Sequence, residues 1–501
     1  MMNRILFGGV FFVSALLLGA CDSAAQTEPI ALPTRMALSE PTATAPPTAT
    51  DLAASATPSP SATATVVPTA THTPQPTATF SPTPAVIATR TRIPTATPAP
   101  PLGQQTFGAL AVQINQAAVI NTIAELVNFE SRHTNSARGD GWRGIDAARA
   151  YLAQRLQTQA TTCANPAVFY EDPFTVTYRG ETSQQANLIL AVGGPDVGRE
   201  TIVLGAHYDT MSDAQPHEQR FLIQPGANDN GSGVASIVEL ARLYCAQPRQ
   251  ARVVFVLFAA EEIRLNGQDG NPDNDIPGRI GSRHFVSNFL PGQPWNVTAM
   301  LNLDTIGSSI DSNSTALVDD RASIYSAGPE NPSRQLARQV QAAAYVQMPD
   351  FQVIVENRED RRNRWGDHMS FTRAGIPAAR LIEGAEDDER QDTRDDRLNF
   401  INPPYLMKNI QVVLAFLLSA SEGPPPPGGI TANGGIVFWD ASPGGAGYLV
   451  ASRAPGQQGY QFDILPTNRT GYEFAPNTIF AVGTISNDGI LGSLSSEVYI
   501  P

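Results

Sequence analysis

Basic residues are scarce in this chain and histidine is scarcer. Lys408 is the only lysine, arginine carries nearly all the positive charge, and the formal net charge is −14. A chain this acidic offers no basic surface for a nucleic acid, so a nucleic-acid partner is excluded. The six histidines end at His368, so no histidine beyond that point can ligate a metal or move a proton. Apolar runs are short: the longest, Ile5 to Leu18, is too brief to span a bilayer comfortably and has the shape of a signal-peptide core. Of three cysteines, Cys163 and Cys245 allow two readings, a disulfide closing a long loop or two buried thiols.

The third cysteine closes Leu18-Gly19-Ala20-Cys21, a tetrad that resembles a bacterial lipobox. That resemblance implies a signal peptide over 1–20, a lipid on Cys21, and a protein held on the outer side of the bacterial cell membrane. Residues 21–103 are dominated by Pro, Thr, Ala and Ser, with too little apolar surface to offset the entropy of folding. They read as a solvated, polyproline-leaning tether, at about 3.1 Å per residue when extended.

The texture changes over 104–421. TIAELVNFESR, IDAARAYLAQRL and GSGVASIVELARLY have helical spacing, whereas ANLILAV, ETIVLGAH, RVVFVLFAA and TAMLNLD are short apolar runs between polar turns. Alternation of the two predicts an α/β fold, a mainly parallel central sheet flanked by helices. After the proline run at Pro424, residues 422–501 show short alternating segments separated by Gly, Pro, Asn and Asp, which predicts a small all-β sandwich with Trp439 in its core.

The chemistry collects at strand ends. His207 and Asp209 follow TIVLGA, Glu261 and Glu262 follow RVVFVLFAA, Asp304 follows AMLNL, and Asp229 opens a helix pattern. Strands of a parallel sheet end on one edge, so these groups converge there. One imidazole among several carboxylates is a ligand set for a hydrolytic divalent metal. Taken singly each residue has a duller explanation: Asp229 caps the helix that follows, and a Glu pair is ordinary solvated surface.

GAHYDT, PGANDNGSG, AAEE, LNLDTIG and DHMSFTRAGIPAARLIEG, in that order, resemble the clan MH co-catalytic zinc aminopeptidases, relatives of glutamate carboxypeptidase and glutaminyl cyclase. The resemblance spans about 300 residues and implies a zinc-exopeptidase fold with two zinc ions. By it, His207 and Asp304 hold one ion, Asp229 bridges, Glu262 holds the second, Glu261 is the general base, and Asp209 orients His207. It implies a cis Asp229–Asn230 peptide and places Asp367 and His368 at the pocket wall. The 422–501 segment resembles a fibronectin type III module, which would bind cell-surface glycans or proteins or only cover the enzyme.

One departure stands out. Relatives carry a histidine for the second metal where this chain has Asp392; Asp396 and Leu398 keep step with their pattern. Three readings follow: Asp392 is the ligand, His368 swings in, or the second site is weak or empty. With Asp392 the second site is all-oxygen and tolerant of harder ions such as Mn²⁺, and the extra carboxylate predicts a more alkaline optimum. The acidic stretch from Glu386 to Asp396 reads either as a solvated loop or as a partner for a peptide's terminal ammonium. Asp269, Asn271, Asp273 and Asp275 alternate like a calcium loop that lacks its turn glycine and closing glutamate. His217 and His284 read as surface residues.

The implied function is a secreted, membrane-tethered metallopeptidase acting on peptide N-termini. Alternatives are a carboxypeptidase or glutaminyl cyclase with the same metals, and a non-catalytic surface binder.

Overall fold

The computed structural model describes residues 107–501 except 179, 194–199, 212–222, 248, 250, 264–277, 312–316, 362–364 and 388. Cys21, the tether, His217 and the alternating acids from Asp269 to Asp275 lie outside the described residues.

An eight-stranded sheet, ordered β1-β2-β4-β3-β5-β8-β6-β7, forms the frame of the larger region. Its strands are β1 (Ala167–Tyr178), β2 (Glu181–Val192), β3 (Glu200–His207), β4 (Arg252–Phe258), β5 (Asn296–Leu303), β6 (Arg321–Ser326), β7 (Gln352–Val355) and β8 (Ala378–Glu383). The centre, β4-β3-β5-β8, is parallel, and β6-β7 is a parallel pair. The β1-β2, β2-β4 and β6-β8 pairings are antiparallel. This is the mainly parallel α/β sheet that the alternation predicts.

The sheet is covered on both faces, which is why its central strands read as unbroken apolar runs. Along β4, Val253, Phe255 and Leu257 enter one core while Val254, Val256 and Phe258 enter another. Eight α-helices appear among the described residues: α1 (Phe107–Ala111), α2 (Gln116–Asn128), α3 (Gly144–Thr162), α4 (Gly233–Cys245), α5 (Ile280–His284), α6 (Pro332–Gln347), α7 (His368–Arg373) and α8 (Pro403–Glu422). Asn115, Asn331 and Asn402 cap α2, α6 and α8 through their side-chain oxygens, the last two followed by proline in the first turn. Cys163, just beyond α3, is disulfide-bonded to Cys245 at the end of α4, which decides between the two readings of these cysteines.

His284 corrects the sequence reading. It is half-buried, stacked on Phe174 at 5.0 Å between ring centroids, with Nδ1 3.1 Å from Asp172 Oδ2.

Two further sheets form the C-terminal sandwich. One holds β9 (Thr431–Asn433), β10 (Ile436–Phe438) and β13 (Gly471–Glu473). The other holds β11 (Gly445–Arg453), β12 (Gln461–Pro466), β14 (Thr478–Ser486), β15 (Leu491–Leu494) and β16 (Val498–Ile500). Trp439 is buried between them, edge-on to Tyr448 at 5.4 Å. The larger sheet's other face packs Leu449, Ile485 and Leu491 on Ala342, Tyr345 and Val346 of α6. Arg338 of α6 donates to the Gln458 carbonyl at 2.6 Å and pairs with Glu497 at 3.2 Å, so contacts cross the 421/422 boundary.

Candidate metal centre

The parallel strands deliver their chemistry to one edge. His207 is the last residue of β3; Glu261 and Glu262 follow β4, and Asp304 follows β5 directly. Asp229 arrives on the turn before α4, across a cis Asp229–Asn230 peptide. Ligand atoms of His207, Asp229 and Asp304 lie within 4.8 Å of one another, as do those of His207, Glu261 and Glu262 and those of Asp229, Glu262 and Asp392.

Whether these residues suit a cation is decided at the imidazole. His207 Nδ1 is 3.2 Å from the main-chain oxygen of Asp209, an acceptor only, so Nδ1 carries the hydrogen. Its Nε2 then faces Asp229 Oδ1 at 3.1 Å and Asp304 Oδ1 at 3.4 Å, a lone pair against two carboxylates. Those two oxygens are buried without hydrogen-bond partners. Either a proton on Nε2 or a metal ion between the three groups reconciles the arrangement. Within the protein alone, burial opposes charge on His207, yet Asp304, Asp209 and Asp229 draw its pKa well above the ordinary value. Burial pushes Glu261 and Glu262 well above the usual carboxylate range, Asp367 adding to the first and Asp392 to the second. The fit to a divalent metal is good: one nitrogen and two oxygens at one position, three oxygens at its neighbour.

Supporting contacts set each group. The fully buried Asp209 carboxylate accepts the Glu261 and Glu262 amides at 3.0 and 3.1 Å. Its Oδ1 also lies 3.7 Å from His207 Nδ1, so Asp209 faces the imidazole with its carbonyl and its carboxylate, as expected, while the side chain also holds the glutamate pair. Gly278 makes room behind that pair: its φ is +45°, and a Cβ there would sit 1.7 Å from the Glu261 oxygen. Asp396 accepts the Asn228 and Asp229 amides, each at 2.8 Å, and burial raises its pKa to about 7. Arg132, buried and lowered by that burial to about 10, holds the carbonyls of Leu126, Tyr208, Pro225 and Gly226. Arg380 lies 3.1 Å from Asp304 Oδ2 and is steadied by Asp360 at 3.1 Å. Burial opposes charge on Asp304, but Arg380 and His207 keep it far below the usual carboxylate range. Asp304 therefore offers Oδ1 to a metal while Arg380 holds Oδ2.

Asp392 joins the second position, its backbone left-handed at φ +60°. His368 does not: it is buried at the start of α7, with Nε2 2.9 Å from the Glu359 carbonyl. Asp367 is also fully buried and is not among the residues lining the pocket; burial raises it to about 7, and its charge in turn raises Glu261. The ligands open into a pocket of about 30 Å³ whose remaining wall is Arg361, Trp365, Arg380 and Gln391. Sequence reasoning missed Arg132, Arg361, Trp365, Arg380 and Gln391. Arg380 had a signal, a charge inside the apolar run IPAARLIE, since buried strands rarely hold one without a partner.

A "Probable zinc metalloprotease" of Pyricularia oryzae is 29% identical over 350 residues, covering 62% of this chain and 66% of its own. The chain thus spans just under two thirds of that relative's length. One from Leptosphaeria maculans is 27% identical, covering 66% of this chain and 80% of its own. Among solved structures, the Legionella pneumophila LapA aminopeptidase is 23% identical with a TM-score of 0.47, over 62% of this chain and 73% of that one. A Bacteroides thetaiotaomicron glutaminyl cyclase is 20% identical with a TM-score of 0.46, over 60% and 97%. Residues 187–417 match Peptidase family M28, and this match encloses His207, Asp229, Glu261, Glu262, Asp304 and Asp392. The metal centre therefore lies within the residues that match Peptidase family M28.

Proposed function

We propose that this chain is a zinc-dependent exopeptidase that releases the N-terminal residue of peptides. The observation that carries the proposal is the His207 lone pair facing two buried, unbonded carboxylate oxygens, with Glu261 on the same pocket. His207, Asp229 and Asp304 would hold one ion; Asp229, Glu262 and Asp392 would hold a second, an oxygen-only position that also suits manganese. When bound, the ions supply Lewis acidity toward the scissile carbonyl and a lowered pKa for attacking water.

The protein's own groups do the rest. Glu261 takes the proton from the water as it attacks and delivers it to the departing amine. Asp209 fixes Glu261 and Glu262 so that one faces the reacting atoms and the other the metal position. Arg380 returns one positive charge to a centre rich in carboxylates, which offsets the alkaline shift expected from Asp392 alone. The carboxylates of the pocket suit the ammonium of a peptide's N-terminus. Arginines on the pocket wall favour one second reading, removal of C-terminal residues.

We further propose that the enzyme works outside the cell, tethered through a lipid on Cys21, with a fibronectin type III-like tail. Labelled palmitate should enter the native protein and not Cys21→Ser. For the activity, aminoacyl-p-nitroanilides should be cleaved, cleavage should stop on chelation and return with zinc, and acetylating the amine should abolish it. Conversion of N-terminal Gln peptides into pyroglutamyl peptides, with ammonia released and the peptide bond left intact, would overturn the peptidase reading in favour of a cyclase.

A further inference from the structure

Glu383 is the last residue of β8, the strand that runs beside β5, and it is buried. Its two oxygens accept N–H donors from three separate stretches of chain. Oε2 takes the Asn228 side-chain amide at 2.8 Å and the Ser308 main-chain amide at 3.2 Å, and Oε1 takes the Asp387 main-chain amide at 3.2 Å. Each stretch serves the metal centre: Asn228 precedes Asp229, Ser308 lies shortly after Asp304, and Asp387 opens the turn that brings in Asp392. Asn228 has no choice of orientation, because its Oδ1 is taken by the Gly307 amide at 2.7 Å, which leaves its NH₂ for Glu383. Burial pushes the Glu383 pKa well above the usual carboxylate range, and the donors of Asn228, Asp387 and Ser308 pull against it.

The Asp392 turn is built outward from Asp387. The Asp387 carbonyl accepts the Arg390 and Gln391 amides, each at 3.1 Å, and its carboxylate binds Arg390 Nη1 at 2.6 Å. The far end of the turn is fixed by Asp396, which holds the Asn228 and Asp229 amides. Between these anchors Asp392 has a φ of +60°, a left-handed backbone that a non-glycine residue keeps where its surroundings impose it.

Resting on the metal-centre reading above, we propose that Glu383 is the positioning residue of the second metal position. It sets the Asp392 turn against the Asp229 turn, so that Asp229, Glu262 and Asp392 meet. The first position leans on it less, since His207 ends β3 and Asp304 follows β5, both held by the parallel sheet.

Glu383→Gln separates the two positions. Glutamine keeps one acceptor oxygen: turned toward Asn228 and Ser308 it preserves two bonds, turned toward Asp387 only one. The favoured orientation sets the new NH₂ against the Asp387 amide, donor against donor, and loosens the turn that carries Asp392. Native and variant protein carrying one equivalent of zinc are titrated calorimetrically with Mn²⁺, and the zinc itself is read by competition with a chromophoric chelator. Mn²⁺ affinity should fall about 10- to 100-fold in the variant while zinc affinity stays within about threefold. Single-residue hydrogen exchange on the native protein keeps the question open to test if the variant does not fold: the Asp387 amide should exchange about tenfold or more slowly than that of exposed Glu389. Mn²⁺ affinity within about threefold of native overturns the proposal. Equal weakening of both positions overturns it too, as a general loosening, and so does rapid exchange at Asp387. Native protein that takes up zinc but no second ion removes the second position and the proposal with it. Native protein that takes up neither ion would instead refute the metal-centre reading itself.

Discussion

Asp209→Asn tests the support of the glutamate pair with almost no change in volume. The native carboxylate accepts two buried amides, from Glu261 and Glu262, at 3.0 and 3.1 Å. Hydrogen bonds to a charged group contribute about 1.5–3 kcal/mol each, so the carboxylate stands for roughly 3–6 kcal/mol of local order. Asparagine keeps one acceptor oxygen and turns an NH₂ toward the other amide, so about half is lost. At about 1.4 kcal/mol per factor of ten, kcat/KM should fall roughly 10- to 150-fold. Zinc affinity should fall by about 10- to 100-fold, the usual range when a ligand's supporting partner is removed. The assays are zinc competition against a chromophoric chelator and initial rates on an aminoacyl-p-nitroanilide, with circular dichroism as the check on folding. A folded variant whose zinc affinity and kcat/KM both stay within about threefold of native would refute the reasoning, since roughly 2 kcal/mol cannot vanish from a fully buried pair of bonds.

Glu261→Gln should lower kcat by about 10²- to 10⁴-fold with zinc content unchanged by mass spectrometry, because it removes a proton acceptor and not a ligand. Asp392→His should shift the second position toward zinc and away from manganese in calorimetric titrations; an unchanged preference would remove Asp392 from the ligand set. Glu497→Gln should destabilise the chain at neutral pH by about 1–3 kcal/mol, by loosening Arg453, Arg338 and Tyr460 at the sandwich interface. Partial burial opposes charge on Glu497, but bonds from Arg453 and Tyr460 hold its pKa below the usual range. Its stabilisation is therefore present above the unfolded value of about 4.3 and lost as pH falls through the folded value. In thermal melts the gap between native and variant should be widest near neutrality and close on acidification.

The sequence made the central sheet legible because buried parallel strands need unbroken apolar runs, and β3, β4 and β5 have them. β1 was less legible: its second half alternates buried and exposed residues as a strand should, but Asp172 and Pro173 interrupt the run and no apolar residue of its first half is buried. The ligands were legible because strand-end acids and a lone histidine are conspicuous in a parallel-sheet pattern. What Asp209 does for the glutamate pair was not, since it depends on register: His207 lies opposite Phe258, which sets the Asp209 carboxylate beneath the amides of Glu261 and Glu262. The arginines were hidden for a related reason. Arg132, Arg361 and Arg380 become meaningful only once distant carbonyls and carboxylates surround them. His368 failed as a pocket residue because its ring bonds the Glu359 carbonyl within the protein.

The central claim is a metal ion where one imidazole nitrogen meets two carboxylates. Anomalous diffraction at the zinc edge from crystals of the purified protein reads this directly. The expected result is a peak bounded by His207 Nε2, Asp229 and Asp304, with a second, weaker or replaceable by manganese, among Asp229, Glu262 and Asp392. Crystals of active enzyme with no anomalous density at either position would contradict it.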